Sequence, residues 1–446
     1  MACQMSSQAA KIDLKLIPPA GAFSAVFTPP GSKSLTNRAL VMAMLAKGPS
    51  TLTNVLLADD TLVMLDALRA LGYPVKVDEA TKTVALTGGA PSTPQATLHC
   101  GNSGTTIRFL AAALATQTGT FTLDGIARMR QRPIGKLAEM LKNAGCRVRY
   151  EGDTGFPPIT LLADGLPGGF LSFGSEQSSQ FLSAILMAAP LARHEVRIDL
   201  TGPQTSWPYV EMTMRLMDHF GVMAELIRDQ DTGEPKQIIV PQLAYVPTTY
   251  DVEPDASSAS YFLAAAAIIP GSSITIAKLG KDSLQGDVQL AEKLREMGAA
   301  VTIGKNSITL TGPASLRGIS ADMSAIPDMA QTLAVVSLFA SGSTHLTGLH
   351  TLKVKETDRI AALRTELTKL GAIVGATGDS LVITPPAAIT PATIDTYDDH
   401  RMAMSFALAG LRTGDITIRD INCTAKTYPH FFDDFAKVTG LTAHPR

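Results

Sequence analysis

Six times along this chain an amphipathic helical pattern runs into a glycine and then into alternating, strand-like residues. The stretches are "LDALRALGYPVKV" at Gly72, "LAEMLKNAGCRVRY" at Gly145, "MRLMDHFGVMAEL" at Gly221, "AEKLREMGAAVTI" at Gly298, "LRTELTKLGAIVGA" at Gly371 and "FFDDFAKVTGLTAH" at Gly440. Their spacing is nearly constant, roughly 75 residues, as in a chain built from repeats. A glycine at the end of a helix takes the left-handed conformation without a Cβ penalty, so each of the six is expected to be a C-terminal cap. Four repeats continue with two β-rich runs around polar turn residues: "VKVDEATKTVALTG", "AELIRDQDTGEPKQIIVP", "AVTIGKNSITLTGP" and "AIVGATGDSLVITPP". Each repeat also holds an earlier helix that is apolar nearly all round, such as "SLTNRALVMAMLA", "SSQFLSAILMAAP" or "HRMAMSFALAGL". Helices of that kind are buried.

Each repeat therefore reads strand, buried helix, strand, amphipathic helix, two strands. Three such βαβαββ units packed around their buried helices make one domain, and six make two, an α/β architecture of the inside-out barrel kind. The sixth repeat lacks its final strands, while residues 10–30 have no helix of their own. The N-terminal strands are thus expected to complete the last repeat. That gives a domain of 1–30 plus 253–446 and another of 31–252, with the active site in the cleft between them. A chain of 446 residues, 45% hydrophobic and 17% charged, has the material for two cores.

Charge and cysteine usage narrow the function. A net charge of −2 argues against a general nucleic-acid binder. Four cysteines without a C-x-x-C pair fit a reducing compartment. The start "MACQMSSQAAKIDLKL" has no apolar signal core, and polar residues interrupt every apolar run before membrane-spanning length. The expectation is a cytoplasmic monomer that touches neither membrane nor nucleic acid.

Cations gather where the buried helices begin, which is where anions normally sit. "TPPGSKSLTNRAL" places Ser32, Lys33, Ser34, Asn37 and Arg38 there. "CGNSGTTIRFL" adds Asn102, Ser103, Gly104, Thr105 and Arg108, and "SEQSSQFL" adds Ser178, Ser179 and Gln180. "YDDHRMAM" contributes His400 and Arg401. Ahead of amphipathic helices stand Arg128, Arg130 and Arg132, then Lys353, Lys355, Glu356 and Arg359, with Lys426 in a short loop and Asp328 at another helix start. Each has a bland alternative: solvated cations at Lys33 and Arg38, serine capping at Ser178, an ion-paired solvated helix at "KETDR", a cap at Asp328. Together, at matching phases of a six-fold repeat, they point to a small polyanionic substrate or two anionic ones bound at helix N-termini. Asp328 and Glu356 are the candidate acid and base. No second histidine stands at metal-ligand spacing from His400, so no metal is expected. Neither a Walker loop nor a G-x-G-x-x-G after a strand is present, so no nucleotide cofactor is indicated.

"PGSKSLTNRAL", "GNSGTTIRFL", "RPIGKL", "SSQFL", "VEPDASSASYFLAAAAI", "VKETDRI", "YDDHRMAM" and "CTAKTYP" occur in order across nearly the whole chain. Together they resemble the 5-enolpyruvylshikimate-3-phosphate synthase family of enolpyruvyl transferases. The resemblance implies transfer of the enolpyruvyl group of phosphoenolpyruvate to the 5-hydroxyl of shikimate 3-phosphate, with release of phosphate, on the way to chorismate and the aromatic amino acids. It assigns shikimate 3-phosphate to Lys33, Ser34, Arg38, Ser178, Ser179, Gln180, Ser206, Tyr209, Asp328, Thr351 and Lys355. Phosphoenolpyruvate falls to Lys33, Asn102, Gly104, Arg132, Gln180, Glu356, Arg359, His400, Arg401 and Lys426. Asp328 would take the hydroxyl proton, Glu356 would shuttle the proton at C3, and Lys33 would support the departing phosphate. Glyphosate would compete with phosphoenolpyruvate. The chain departs from the family at Thr351, where asparagine is usual, and at Phe109, where proline is frequent, with a slight helix shift expected. Two rivals stand beside this reading. The related transferase acting on UDP-N-acetylglucosamine carries a reactive cysteine where this chain has Ala127. A non-catalytic repeat module would ignore small phosphates.

Overall fold

The computed structural model describes residues 11–174 and 178–445; Cys3 and the Ser175–Gln177 head of "SEQSSQFL" lie outside the described residues. Among the described residues six four-stranded sheets share one pairing pattern, a parallel pair followed by two antiparallel pairs. In the second repeat Gln95–His99 runs parallel to Thr118–Asp124, which pairs antiparallel with Ile159–Asp164, itself antiparallel to Arg147–Tyr150. The third and fifth repeats repeat the pattern from Gly169–Phe173 and Ser320–Asp322. A buried helix links the parallel pair each time, as a parallel crossover requires.

The chain parts into two compact units. A middle unit holds 30–255 with 283–286; a terminal unit holds 1–29, 256–282 and 287–446. The short 283–286 excursion, absent from the sequence reading, has a simple cause. The Glu253 carboxylate accepts from Ser283 Oγ at 2.7 Å, from the Leu284 amide at 2.9 Å and from Gln285 Nε2 at 3.1 Å.

One expectation is corrected. Of the two N-terminal strands only Leu14–Ile17 completes the last sheet, lying antiparallel between Ile416–Ile418 and Thr442–Pro445. Ser24–Phe27 instead runs parallel to Ser273–Ala277 in the fourth sheet. There the Phe27 ring packs 4.2 Å from Phe262 of the buried helix Ala256–Ile268. In the same way Thr249–Asp251, which leads into that helix, pairs with Gly48–Thr53 in the first sheet. The strands leading into the first and fourth buried helices have thus exchanged sheets.

All six predicted glycines are left-handed, with φ from +75° at Gly440 to +112° at Gly298. The six apolar helices are buried along almost their whole length, including Lys33–Leu45, Gly104–Ala115 and Ser179–Ala188 in the middle unit. The terminal unit has Ala256–Ile268, Ala330–Val336 and His400–Ala407. Strands such as Val196–Leu200 alternate buried and exposed positions, so one face of such a sheet packs on the core. Phe109 is buried within the unbroken helix Gly104–Ala115. Among the described residues no helix is long and apolar enough to cross a membrane.

Candidate active site

In the middle unit the polar starts of the buried helices meet one another. Asn37 Nδ2 donates to Thr105 Oγ1 at 2.8 Å and to the Asp60 carbonyl at 3.0 Å. That carbonyl also accepts from Ser103 Oγ at 3.1 Å and Thr106 Oγ1 at 3.2 Å. The Asp60 carboxylate meets Lys33 Nζ at 3.2 Å. Asp60 is thus a joint between helix starts, and the sequence reading passed over it in "LLADDTL". Ser178 is a cap, accepting from the Gln180 amide at 3.3 Å.

Arg38 is turned inward. Its Nε donates to Thr213 Oγ1 at 2.8 Å, one Nη to the Ser34 carbonyl at 3.0 Å and the other to Ser183 Oγ and the Tyr209 carbonyl at 3.3 and 3.4 Å. Its guanidinium carbon lies 4.9 Å from the centre of the Phe109 ring. Among the described residues no carboxylate pairs with it, and burial pulls its pKa down to about 9. A buried cation held only by dipoles and a π face is a standing attraction for an anion.

Arg108 Nη1 donates to Gln180 Oε1 at 2.6 Å, and Arg132 Nη1 donates to the Asn102 carbonyl and Oδ1 at 2.9 and 3.2 Å. Gly104 lies beside both guanidiniums: a Cβ there would stand 2.8 Å from Arg132 Nη2 and 3.0 Å from Arg108 Nη1. Ser206, just before helix Trp207–His219, has φ +55°, a conformation costly for a residue other than glycine.

The terminal unit gathers the other charges. Asp328 Oδ1 lies 3.3 Å from both Lys355 Nζ and Arg359 Nη1, and Oδ2 lies 3.0 Å from Arg401 Nη2. Burial opposes the Asp328 charge, but Arg401, Lys355 and Arg359 outweigh it and hold the carboxyl well below the usual carboxylate range. Arg359 is fully engaged. Its Nε meets Asp399 Oδ2 at 2.7 Å and its Nη2 meets Glu356 Oε2 at 2.8 Å and Asp399 Oδ1 at 3.1 Å. Gln331, with its amide oxygen toward the guanidinium, accepts from Nε as well. Burial works against the Arg359 charge too, and Asp399, Glu356 and Asp328 more than restore it. Glu356 Oε1 is 3.9 Å from Lys426 Nζ. Burial lowers the pKa of Lys355 despite the adjacent Asp328.

Asp399 caps helix His400–Ala407 by accepting from the Arg401 amide at 2.9 Å. His400 is buried, and among the described residues neither ring nitrogen has a hydrogen-bond partner. Burial drives its pKa well below the imidazole range, so the ring is neutral. The Thr351 hydroxyl is likewise buried and unpartnered among the described residues. Both are buried polar groups with unused hydrogen-bonding capacity in the unit that holds Asp328.

The structure thus brings together Asp328, Lys355, Glu356, Arg359, Arg401 and Lys426 in one unit, and Lys33, Arg38, Asn102, Gly104, Arg132 and Gln180 around helix starts in the other. Asp60, Asp399 and Gln331 complete these networks and were missed. Of these, Asp399 carried a readable signal, an aspartate at a helix start.

The three described cysteines are buried free thiols. Burial pushes the thiols of Cys100 and Cys423 far up and that of Cys146 up to about 11. An alkylating reagent near neutral pH is expected to leave all three unmodified in the folded protein and to label them on unfolding, read by peptide mass. Labelling of any of them in the folded state would contradict this burial.

A family model for EPSP synthase (3-phosphoshikimate 1-carboxyvinyltransferase) matches residues 18–435. A 3-phosphoshikimate 1-carboxyvinyltransferase of Shewanella denitrificans is 46% identical over 414 residues, spanning 92% of this chain and 95% of its own. One from Herminiimonas arsenicoxydans is 46% identical over 419 residues, spanning 92% and 94%. The solved EPSP synthase of Acinetobacter baumannii superposes with a TM-score of 0.80 at 27% identity, covering 97% of this chain and 100% of that one. In fold alone, the enolpyruvyl transferase NikO from Streptomyces tendae is similar, with a TM-score of 0.76 at 18% identity. With helix-start cations, clustered carboxylates and six repeats all in place, the chain belongs to the EPSP synthase family, the 3-phosphoshikimate 1-carboxyvinyltransferases.

Proposed function

We propose that the charged clusters of the two units act on one substrate pair, shikimate 3-phosphate and phosphoenolpyruvate, and that Asp328 and Glu356 carry the proton transfers. Membership of the family makes the chain an enolpyruvyl transferase, which answers the non-catalytic alternative. The observation that carries the residue assignment is Asp328 between Lys355, Arg359 and Arg401. The substrate anions draw on these cations, weaken their hold on Asp328 and raise its proton affinity when a hydroxyl is at hand. The 5-hydroxyl oxygen then bonds to C2 of phosphoenolpyruvate as its proton passes to Asp328 and a proton from Glu356 adds to C3. Glu356 takes a C3 proton back as the C2–O bond to phosphate breaks, which leaves the enol ether, and phosphate departs with the proton that Asp328 took from the hydroxyl. Lys33, Arg132, Arg401 and Lys426 stabilise the moving charge.

Shikimate 3-phosphate is assigned to Lys33, Ser34, Arg38, Ser178, Ser179, Gln180, Ser206, Tyr209, Thr351 and Lys355. Arg38 is the support most deeply set, reaching ligand through the Ser34–Tyr209 end of its network. Arg359 is better placed as the scaffold of Asp328 and Glu356 than as a direct contact, since its nitrogens already meet three carboxylates. A reducing, cytoplasmic setting is supported by the free thiols at Cys100, Cys146 and Cys423.

The test is phosphate release with both substrates together, against each alone and with UDP-N-acetylglucosamine replacing the shikimate. Release only with the shikimate pair supports the assignment; release with the UDP sugar overturns it. Glyphosate supplies a second test. Gly104→Ala pushes on Arg132 and Arg108, so the inhibition constant is expected to rise roughly ten-fold or more, the loss of about one charge-assisted hydrogen bond. Unchanged inhibition would separate Gly104 from the anion site.

A further inference from the structure

The "VEPDASSASY" stretch helps identify the family, yet nothing so far gives its serines a role. Ser257 lies in the first turn of the buried helix Ala256–Ile268, and Asp287, the second residue of the short turn Gly286–Gln289, belongs to the same unit. The Ser257 hydroxyl donates to Asp287 Oδ2 in a short hydrogen bond and accepts from Arg401 Nη2 at 3.2 Å. That same Nη2 donates to Asp328 Oδ2 at 3.0 Å. Asp287 is 5% exposed.

We infer that Asp287 and Ser257 are positioning residues that act through Arg401. A hydroxyl has one proton and two lone pairs. With the proton claimed by the Asp287 carboxylate, only lone pairs face the guanidinium, and a charge-assisted partner holds them there. Arg401 is thereby fixed between Ser257 and Asp328, ready for the anion that draws it from Asp328. This rests on the assignment of Arg401 to phosphoenolpyruvate.

The experiment is steady-state phosphate release by Ser257→Ala, Asp287→Ala, their double variant and Ser257→Thr, each substrate varied with the other saturating. Ser260→Ala serves as the structural control, since Ser260 Oγ bonds the Ser257 carbonyl and Thr332 but not Arg401. The KM for phosphoenolpyruvate is expected to rise about ten-fold in both single alanine variants, while that for shikimate 3-phosphate stays within about two-fold. The double variant should match the singles, because both act along one chain of contacts, and threonine should restore most of the loss. Ser260→Ala should shift the melting temperature without this split. An unchanged KM for phosphoenolpyruvate, or equal rises in both KM values that track lost stability, overturns the inference while wild-type turnover stands. Absence of wild-type phosphate release overturns the family reaction for this site, and the inference with it. If Asp287→Ala does not fold, the alanine–threonine pair at Ser257 decides.

Discussion

Asp328→Asn is expected to lower kcat by about 10²–10⁴-fold, the usual range for removing a general base, with far smaller changes in either KM. Asparagine keeps the shape, and its one side-chain oxygen can still accept from Lys355 and Arg359 on the Oδ1 side, so most of the binding geometry survives while the proton acceptor is gone. In the resting protein those cations hold the carboxyl below its unfolded value. The sign of the linked stability follows: it is present above the ordinary carboxylate range and lost as pH falls through the lower folded value. The asparagine variant should therefore be the less stable protein at neutral pH and should lose that part of the acid dependence, as denaturant midpoints across pH would show. A kcat within about ten-fold of wild type would remove Asp328 from the proton path and leave Glu356 as the acid and base.

Arg359→Lys should be the most destabilising single change in the cluster. The guanidinium serves Asp399 through Nε and Nη2, Glu356 through Nη2 and Asp328 through Nη1. An ammonium is a single point charge and cannot reproduce that fork. Breaking a buried ion pair leaves a charge uncompensated, at about 3–5 kcal/mol. For a unit of about 200 residues that corresponds to a fall of roughly 10 °C in melting temperature. Calorimetry would read it directly, and a midpoint unchanged within experimental error would mean that the three carboxylates find other partners. Activity should fall as well, since Asp328 and Glu356 both lose a fixed neighbour.

Much of this molecule can be read along the chain because its repeats impose the same local rules six times. A glycine such as Gly298 can be only a turn, a bulge or a cap, and the helix ahead of it decides which. The buried helices declare themselves by having no polar face. What could not be read depends on partners distant in sequence. Ser24–Phe27 looks like any strand, and only the packing of Phe27 on Phe262 sends it to the fourth sheet. Asp60 reads as an acidic first turn, which it is, while its carbonyl and carboxylate join helices that begin at Lys33 and Gly104. Arg359 reads as a cation for substrate, but residues 328, 356 and 399 converge on it only in three dimensions.

The placement of Leu14–Ile17 between Ile416–Ile418 and Thr442–Pro445 has a consequence for how the protein is born. That strand leaves the ribosome roughly 400 residues ahead of both neighbours it needs. At ordinary rates of synthesis the wait is tens of seconds. Residues 30–255 emerge meanwhile and can assemble nearly all of the middle unit. The early strand spends that interval with both edges unpaired, the condition that invites wrong pairing. The last sheet of the terminal unit, the unit that holds Asp328 and its cations, therefore closes only after nearly the whole chain has been made.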